Sequence, residues 1–140
     1  MMGPVTDAFT YTVPVRYLEV DQQGVVFNMW YLAYMDEAFG AFLTRNGMSF
    51  DDMIAAGVDV QLVHTELDWS GSLRWGDDVA VEVELIKLGR TSFTMEFRVS
   101  NRVGAPPVLV GHTVYVVIAT DGSGKREPPA EFRAALGDVR

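Results

Sequence analysis

Residues 29–46 constrain this chain most, because read as a helix they leave almost no face polar. At helical spacing Tyr31, Tyr34, Met35, Ala38 and Phe42 share one face, while Trp30, Leu32, Phe39 and Leu43 add apolar surface elsewhere. Such a helix must be covered on most sides, and the rest of the chain reads as the cover. From Val58 onward the period changes to two. Val79, Val81, Val83 and Leu85 alternate with Glu82 and Glu84, and Phe93, Met95, Phe97 and Val99 alternate with Thr94, Glu96 and Arg98. Val108 to Ala119 is apolar on both faces, which marks an interior strand. One long helix among about five antiparallel strands gives an α+β class, with a curved sheet wrapped around the helix.

Local punctuation sets the expected boundaries. Phe9 to Tyr17 reads as a strand, and Pro14, lacking an amide donor, puts it at an edge or a bulge. Asn28 is expected to cap the long helix and Gly47 to end it. Gly40 costs about 1 kcal/mol in mid-helix, so close approach of another backbone is expected there. Ser49 caps a short helix over Phe50 to Ala56 that ends at Gly57. Val58 to Leu67 is a strand that Asp68 to Arg74 would extend past a kink at Gly71. Gly89-Arg90 and Asp121 to Gly124 are turns, and Asn101 to Pro107 is a loop. Pro128 and Pro129 open a final helix, Ala130 to Leu136, ended by Gly137.

With 140 residues, the expectation is one domain over 1–140, large enough to bury roughly two thirds of its unfolded surface. Cysteine is absent, which excludes disulfides, thiolate metal sites and a cysteine nucleophile. A net charge of -8 argues against nucleic acid, whose phosphates select basic faces. Met1 to Thr10 lacks the basic and apolar regions of a signal peptide, and no apolar run approaches the ~20 residues of a membrane span. A soluble, cytoplasmic protein without membrane partners is expected. One chain covers only one side of so apolar a helix, so a homodimer, or a tetramer built from it, is expected too.

The segment entering the helix carries the chemistry. Asp21-Gln22-Gln23-Gly24-Val25-Val26-Phe27-Asn28 places one carboxylate in a glycine-containing loop beside a helix start. The first amides of a helix are unpaired, and the macrodipole adds about half a positive charge there. A nucleophile or base and an oxyanion site are therefore available within one short segment. Taken alone, Asp21 is equally well a turn residue. His64 and His112 lie apart with no metal-ligand neighbour at helical spacing, and read as satisfied strand histidines.

The pattern Asp21-x-x-Gly24-Val25-Val26-Phe27 before a helix, with Tyr31, Tyr34 and Asp36 following, resembles the hotdog-fold acyl-CoA thioesterases of the 4-hydroxybenzoyl-CoA thioesterase family. The likeness extends over about residues 11–120 and includes Gly76-Asp77-Asp78-Val79 and Gly89-Arg90-Thr91-Ser92-Phe93. It implies that Asp21 attacks the thioester carbonyl or acts as general base for water, and that backbone amides near Phe27 and Asn28 hold the carbonyl oxygen. Many relatives carry histidine where this chain has Asn28, which leaves the amide's role intact. Gly24, Val25 and Tyr31 are expected to line the substrate. Lys87 and Arg90, with Arg74 and Arg102 behind them, are the candidates for the phosphates of coenzyme A. Neither metal nor redox cofactor is implied. Two rivals on the same fold are an acyl-thioester dehydratase or hydratase, whose histidine-containing loop is missing here, and a non-catalytic acyl-thioester binder.

Overall fold

The structure, a computed structural model, describes residues 9–140. Residues 1–8 of the stretch read above for a targeting signal lie outside the described residues. The element order is β1 (Phe9–Pro14), a 3-10 turn (Tyr17–Glu19), α1 (Met29–Arg45), α2 (Phe50–Ala55), β2 (Val58–Trp69), β3 (Asp78–Leu88), β4 (Ser92–Ser100), β5 (Leu109–Ala119) and α3 (Ala130–Leu136). The five strands form one antiparallel sheet in the order β1-β3-β4-β5-β2. Pro14 thus sits on an edge strand, where its missing donor costs no ladder bond, and β5 lies inside the sheet as its sequence required.

Alternation puts one face of the sheet against α1. Val79, Val81, Val83 and Leu85 of β3, Phe93, Met95, Phe97 and Val99 of β4, and Leu109, Thr113, Tyr115 and Val117 of β5 are buried. They meet Tyr31, Tyr34, Met35, Ala38, Phe39, Phe42 and Leu43 of α1. Phe39 stacks on Tyr115 at 4.6 Å between ring centroids, and Tyr115 on Phe93 at 5.2 Å. Burying each such ring is worth about 1.5–3 kcal/mol, so this stack anchors the helix to the sheet. Phe132 of α3 closes the same cluster against Phe93.

Several expectations are met at the ends of elements. Ser49 and Asp52 form a reciprocal cap on α2, and Gly47 and Gly57 take φ of 91° and 71° after their helices. Others are corrected. Asn28 does not cap α1: it is itself helical (φ -51°, ψ -38°) and its side chain makes no capping bond. Gly40 meets no close neighbour. The close approach is instead at Gly111, where an added Cβ would lie 2.7 Å from Met35 Cε of α1. Strand β2 does not run on to Arg74. The amides of Ser70 and Gly71 both turn to the carbonyl of Val108, which ends the ladder after Trp69.

Candidate active site

Residues 19–27 fold back on themselves as a tight antiparallel pair. The Asp21 amide donates to the Val25 carbonyl at 2.9 Å, Val20 pairs with Val26, and the Phe27 amide donates to the Glu19 carbonyl at 2.9 Å. Gly24 makes the reversal, with φ of 76°. Its amide donates to the Asp21 carbonyl at 3.0 Å. The Asp21 carboxylate is held from inside the turn: Oδ1 accepts from the Gln23 amide at 2.8 Å and from the Val25 amide at 3.4 Å. Oδ2 has no partner among the described residues. The side chain is exposed and borders a groove with Tyr17, Leu18, Val20 and Gln22.

At the other end of this hairpin α1 begins. Phe27 is not a free donor there, because its amide is engaged by Glu19, and this corrects the expectation that Phe27 could hold a carbonyl oxygen. The amides of Asn28 and Met29 have no acceptor among the described residues. Trp30 and Tyr31 are the first to bond back, to the carbonyls of Phe27 and Asn28. Asn28 therefore matters as the first open amide, with Met29 beside it, at the positive end of a 17-residue helix.

Two tyrosines of α1 hold the hairpin's flanks. Tyr31 is 1% exposed, and its hydroxyl accepts from the Leu73 amide at 2.9 Å. It is a buried strut and not a lining residue, which corrects the substrate-contact reading. Leu73 in turn accepts from the Val26 amide, and Arg74 pairs with Val25. On the opposite flank the Tyr34 hydroxyl donates to Glu19 Oε1 at 2.7 Å. Glu19 is fully buried and also accepts from the Arg16 amide at 2.9 Å and Arg16 Nε at 2.8 Å. Burial pushes its carboxyl upward, but the Arg16 amide, the Tyr34 hydroxyl and the Arg16 guanidinium outweigh that and hold it below its usual value. Burial, with the Glu19 carboxylate beside it, drives the Tyr34 hydroxyl strongly upward, so it stays a donor. The sequence reading missed Glu19. Its only signal was a charged residue two positions before Asp21, with nothing in the chain to show that it would be enclosed.

The remaining candidates lie elsewhere. Lys87 sits at a bulge near the far end of β3, and Arg90 in the turn beyond it, 4.0 Å from Glu127. From Asp78, whose neighbour Asp77 bonds Val15 and Arg74, Lys87 is nine residues along the strand, roughly 30 Å. One chain thus keeps these cations away from Asp21, and Arg16 and Arg74 are the basic residues beside the loop. Gly24 and Val25 lie in the same turn as Asp21. His64 bonds Glu66 and His112 bonds Glu96, so both histidines have partners. Among the described residues no group of three or more His, Asp or Glu is placed to hold a metal. Tyr17 and Trp75, in edge-to-face contact at 5.3 Å, are exposed aromatics near the groove, and no sequence pattern singled them out.

A carboxylate with one free oxygen, and open helical amides at the far end of the same nine-residue fold, suit attack on a carbonyl whose oxygen gains charge. The family model described as thioesterase-like superfamily matches residues 15–136. The chain belongs to this superfamily. It is a thioester hydrolase with the hotdog fold. A 1,4-dihydroxy-2-naphthoyl-CoA hydrolase of Synechocystis is 25% identical over 132 residues, 94% of this chain and 96% of that one. The crystal structure of a 1,4-dihydroxy-2-naphthoyl-CoA thioesterase from Synechocystis superposes with a TM-score of 0.82 at 25% identity, covering 94% of this chain and 96% of that chain. A hypothetical protein from Aquifex aeolicus superposes with a TM-score of 0.84 at 26% identity, covering 91% and 98%.

Proposed function

We propose that this hydrolase cleaves acyl- or aryl-coenzyme A thioesters to the free acid and coenzyme A, with Asp21 as nucleophile or general base. The observation that supports the reading is that one hydrogen-bonded hairpin carries both the free Oδ2 of Asp21 in its turn and, just past its other end, the open amides of Asn28 and Met29. As general base, Asp21 takes a proton from water while the water oxygen bonds the carbonyl carbon. As nucleophile, its oxygen forms a mixed anhydride that water then opens. In both routes the carbon–sulfur bond breaks and the thiolate leaves. The amides of Asn28 and Met29 stabilise the oxygen as it gains charge, and Gly24 and Val25 line the approach. The Synechocystis relative's activity on an aryl-CoA supports including aromatic acyl groups.

The active form in this reading is a homodimer of a single domain over 1–140, and it works in the cytoplasm. Strand β2 ends the sheet with a free edge, and Leu62 and Val63, 51% and 54% exposed, lie along it beside Leu32 of α1. Pairing there with a second copy covers that surface. In this dimer a second copy supplies Lys87 and Arg90 to the coenzyme A phosphates, which suits their place at the far end of β3 from Asp21 within one chain.

A thiol-release assay over short, long, branched and aromatic acyl-CoAs tests the reading, together with Asp21→Asn. Turnover of at least one acyl-CoA by the wild type, falling by orders of magnitude in Asp21→Asn, supports it. Wild-type turnover in the variant ends it.

A further inference from the structure

We propose that Glu19 is the positioning residue of this site, given the hydrolytic reading above: its buried carboxylate, fastened to Arg16 and Tyr34, fixes the hairpin against α1 so that Asp21 and the open amides keep one separation.

Glu19 is 0% exposed, with its carboxyl held below its usual value, and among the described residues Arg16, its side chain half in water, is the one cation that pairs with it. A buried ion pair is weak support for stability, because apolar side chains of similar volume serve as well or better. A carboxylate kept here needs another reason, and its bonds supply one. Side-chain oxygens take the Arg16 amide, Arg16 Nε and the Tyr34 hydroxyl. The backbone carbonyl of the same residue takes the Phe27 amide. One residue therefore ties the 3-10 turn leading to Asp21, the buried side of α1, and the last position before the open amides. These are directional bonds, and an apolar residue would allow the hairpin to slide on the helix. Tyr31 secures the other flank through Leu73, so Glu19 and Tyr34 are the remaining fixture. Glu19 touches no substrate in this scheme and acts only through the groups it holds.

The test measures kcat and KM of full-length protein for Asp21→Asn, Glu19→Gln, Tyr34→Phe, the Glu19→Gln/Tyr34→Phe double variant, and Phe132→Leu as a core change remote from the hairpin. Glutamine keeps the shape but turns an NH2 toward the Arg16 guanidinium. Misplacement by about 1 Å costs on the order of 100-fold in rate, so Glu19→Gln is expected to lose about 10- to 100-fold in kcat with KM nearly unchanged. Tyr34→Phe is expected to lose less, since it removes one of the three bonds to the carboxylate, and the double variant at least as much as Glu19→Gln, since Tyr34 and the Arg16 guanidinium bond different oxygens. Phe132→Leu is expected to lower the urea midpoint and keep kcat. Wild-type kcat in Glu19→Gln, beside an inactive Asp21→Asn, overturns the inference and leaves the hydrolytic reading standing. Turnover that survives Asp21→Asn removes both. Should Glu19→Gln fail to fold, Tyr34→Phe decides alone: a kcat loss at constant KM supports the fixture and an unchanged kcat refutes it.

Discussion

Phe27 donates its amide to the carbonyl of Glu19 at 2.9 Å, and this bond decides where the open end of α1 begins. Without it, three successive amides would compete for a carbonyl oxygen. With it, Phe27 belongs to the hairpin, and Asn28 and Met29 carry the first open amides of α1. The side chain at position 28 has no part in this arrangement, since it caps nothing.

Substitution at Asn28 separates backbone from side chain. Asn28→Ala is expected to leave kcat and the urea midpoint close to wild type. Asn28→Pro deletes the amide, and the native φ of -51° already lies within proline's range. Loss of one such donor is worth about 100- to 1,000-fold in kcat. Steady-state kinetics, with circular dichroism to confirm the fold, checks both. Wild-type kcat in Asn28→Pro would remove this amide from the mechanism.

Tyr31→Phe leaves the buried Leu73 amide without an acceptor. An orphaned buried donor costs about 1–3 kcal/mol. The urea midpoint is expected to fall accordingly. Rate is expected to fall with it, because the Leu73 carbonyl anchors Val26. An unchanged midpoint shows that water replaces the phenol.

Much of this was legible from pattern. Alternation from Val79 to Val99 fixed which side chains of β3 and β4 face the helix, and Pro14 located an edge. The Asp21-x-x-Gly24 spacing located the turn. What stayed hidden is what requires partners distant in sequence. Helix periodicity put Tyr31 and Tyr34 on a buried face but said nothing of their hydroxyls, which find Leu73 and Glu19 only after folding. Glu19 reads as a surface charge until Arg16 and Tyr34 enclose it. Lys87 and Arg90 were singled out by the turn they flank, and only the length of β3 shows how far that turn lies from Asp21 within one chain.

Glycine at two positions illustrates the same limit. Gly40 lies exposed in α1 with nothing within 4 Å of a built Cβ, so Gly40→Ala is expected to stabilise the protein by up to about 1 kcal/mol. At Gly111 a Cβ meets Met35 Cε at 2.7 Å and Leu67 Cδ2 at 3.0 Å. The flexible end of Met35 can move for Gly111→Ala, but a branched side chain in Gly111→Val forces the strand from the helix, at about 1–3 kcal/mol. Urea unfolding is expected to rank Gly40→Ala above the wild type and Gly111→Val below it. A stabilising Gly111→Val would mean that a void lies behind Met35.

Acid stability follows in part from two enclosed carboxylates held below their usual value of 4.5, Glu19 and Glu96, beside the surface carboxylates Asp52 and Asp121, which bonds from Ser49 and Ser123 hold below 3.8. For Glu96 burial again pushes upward, and hydrogen bonds from His112 and Arg140 more than offset it. The unfolded chain protonates Glu19 and Glu96 near the usual value, while the native protein resists until lower pH. Between those points the unfolded state binds more protons, so stability rises with pH. The contribution is complete above the usual carboxylate range and is lost as pH falls through the native values. Each of these two adds at most ~1.4 kcal/mol per pH unit to the slope. Urea unfolding from pH 3 to 7 is expected to show a flat upper region and a falling acid limb. Glu19→Gln and Glu96→Gln each flatten that limb, and additively, since one group lies on the hairpin and the other on β4. A limb of unchanged slope in Glu19→Gln would show that the native carboxyl titrates at its ordinary value, and that Arg16 and Tyr34 do not hold it as an anion.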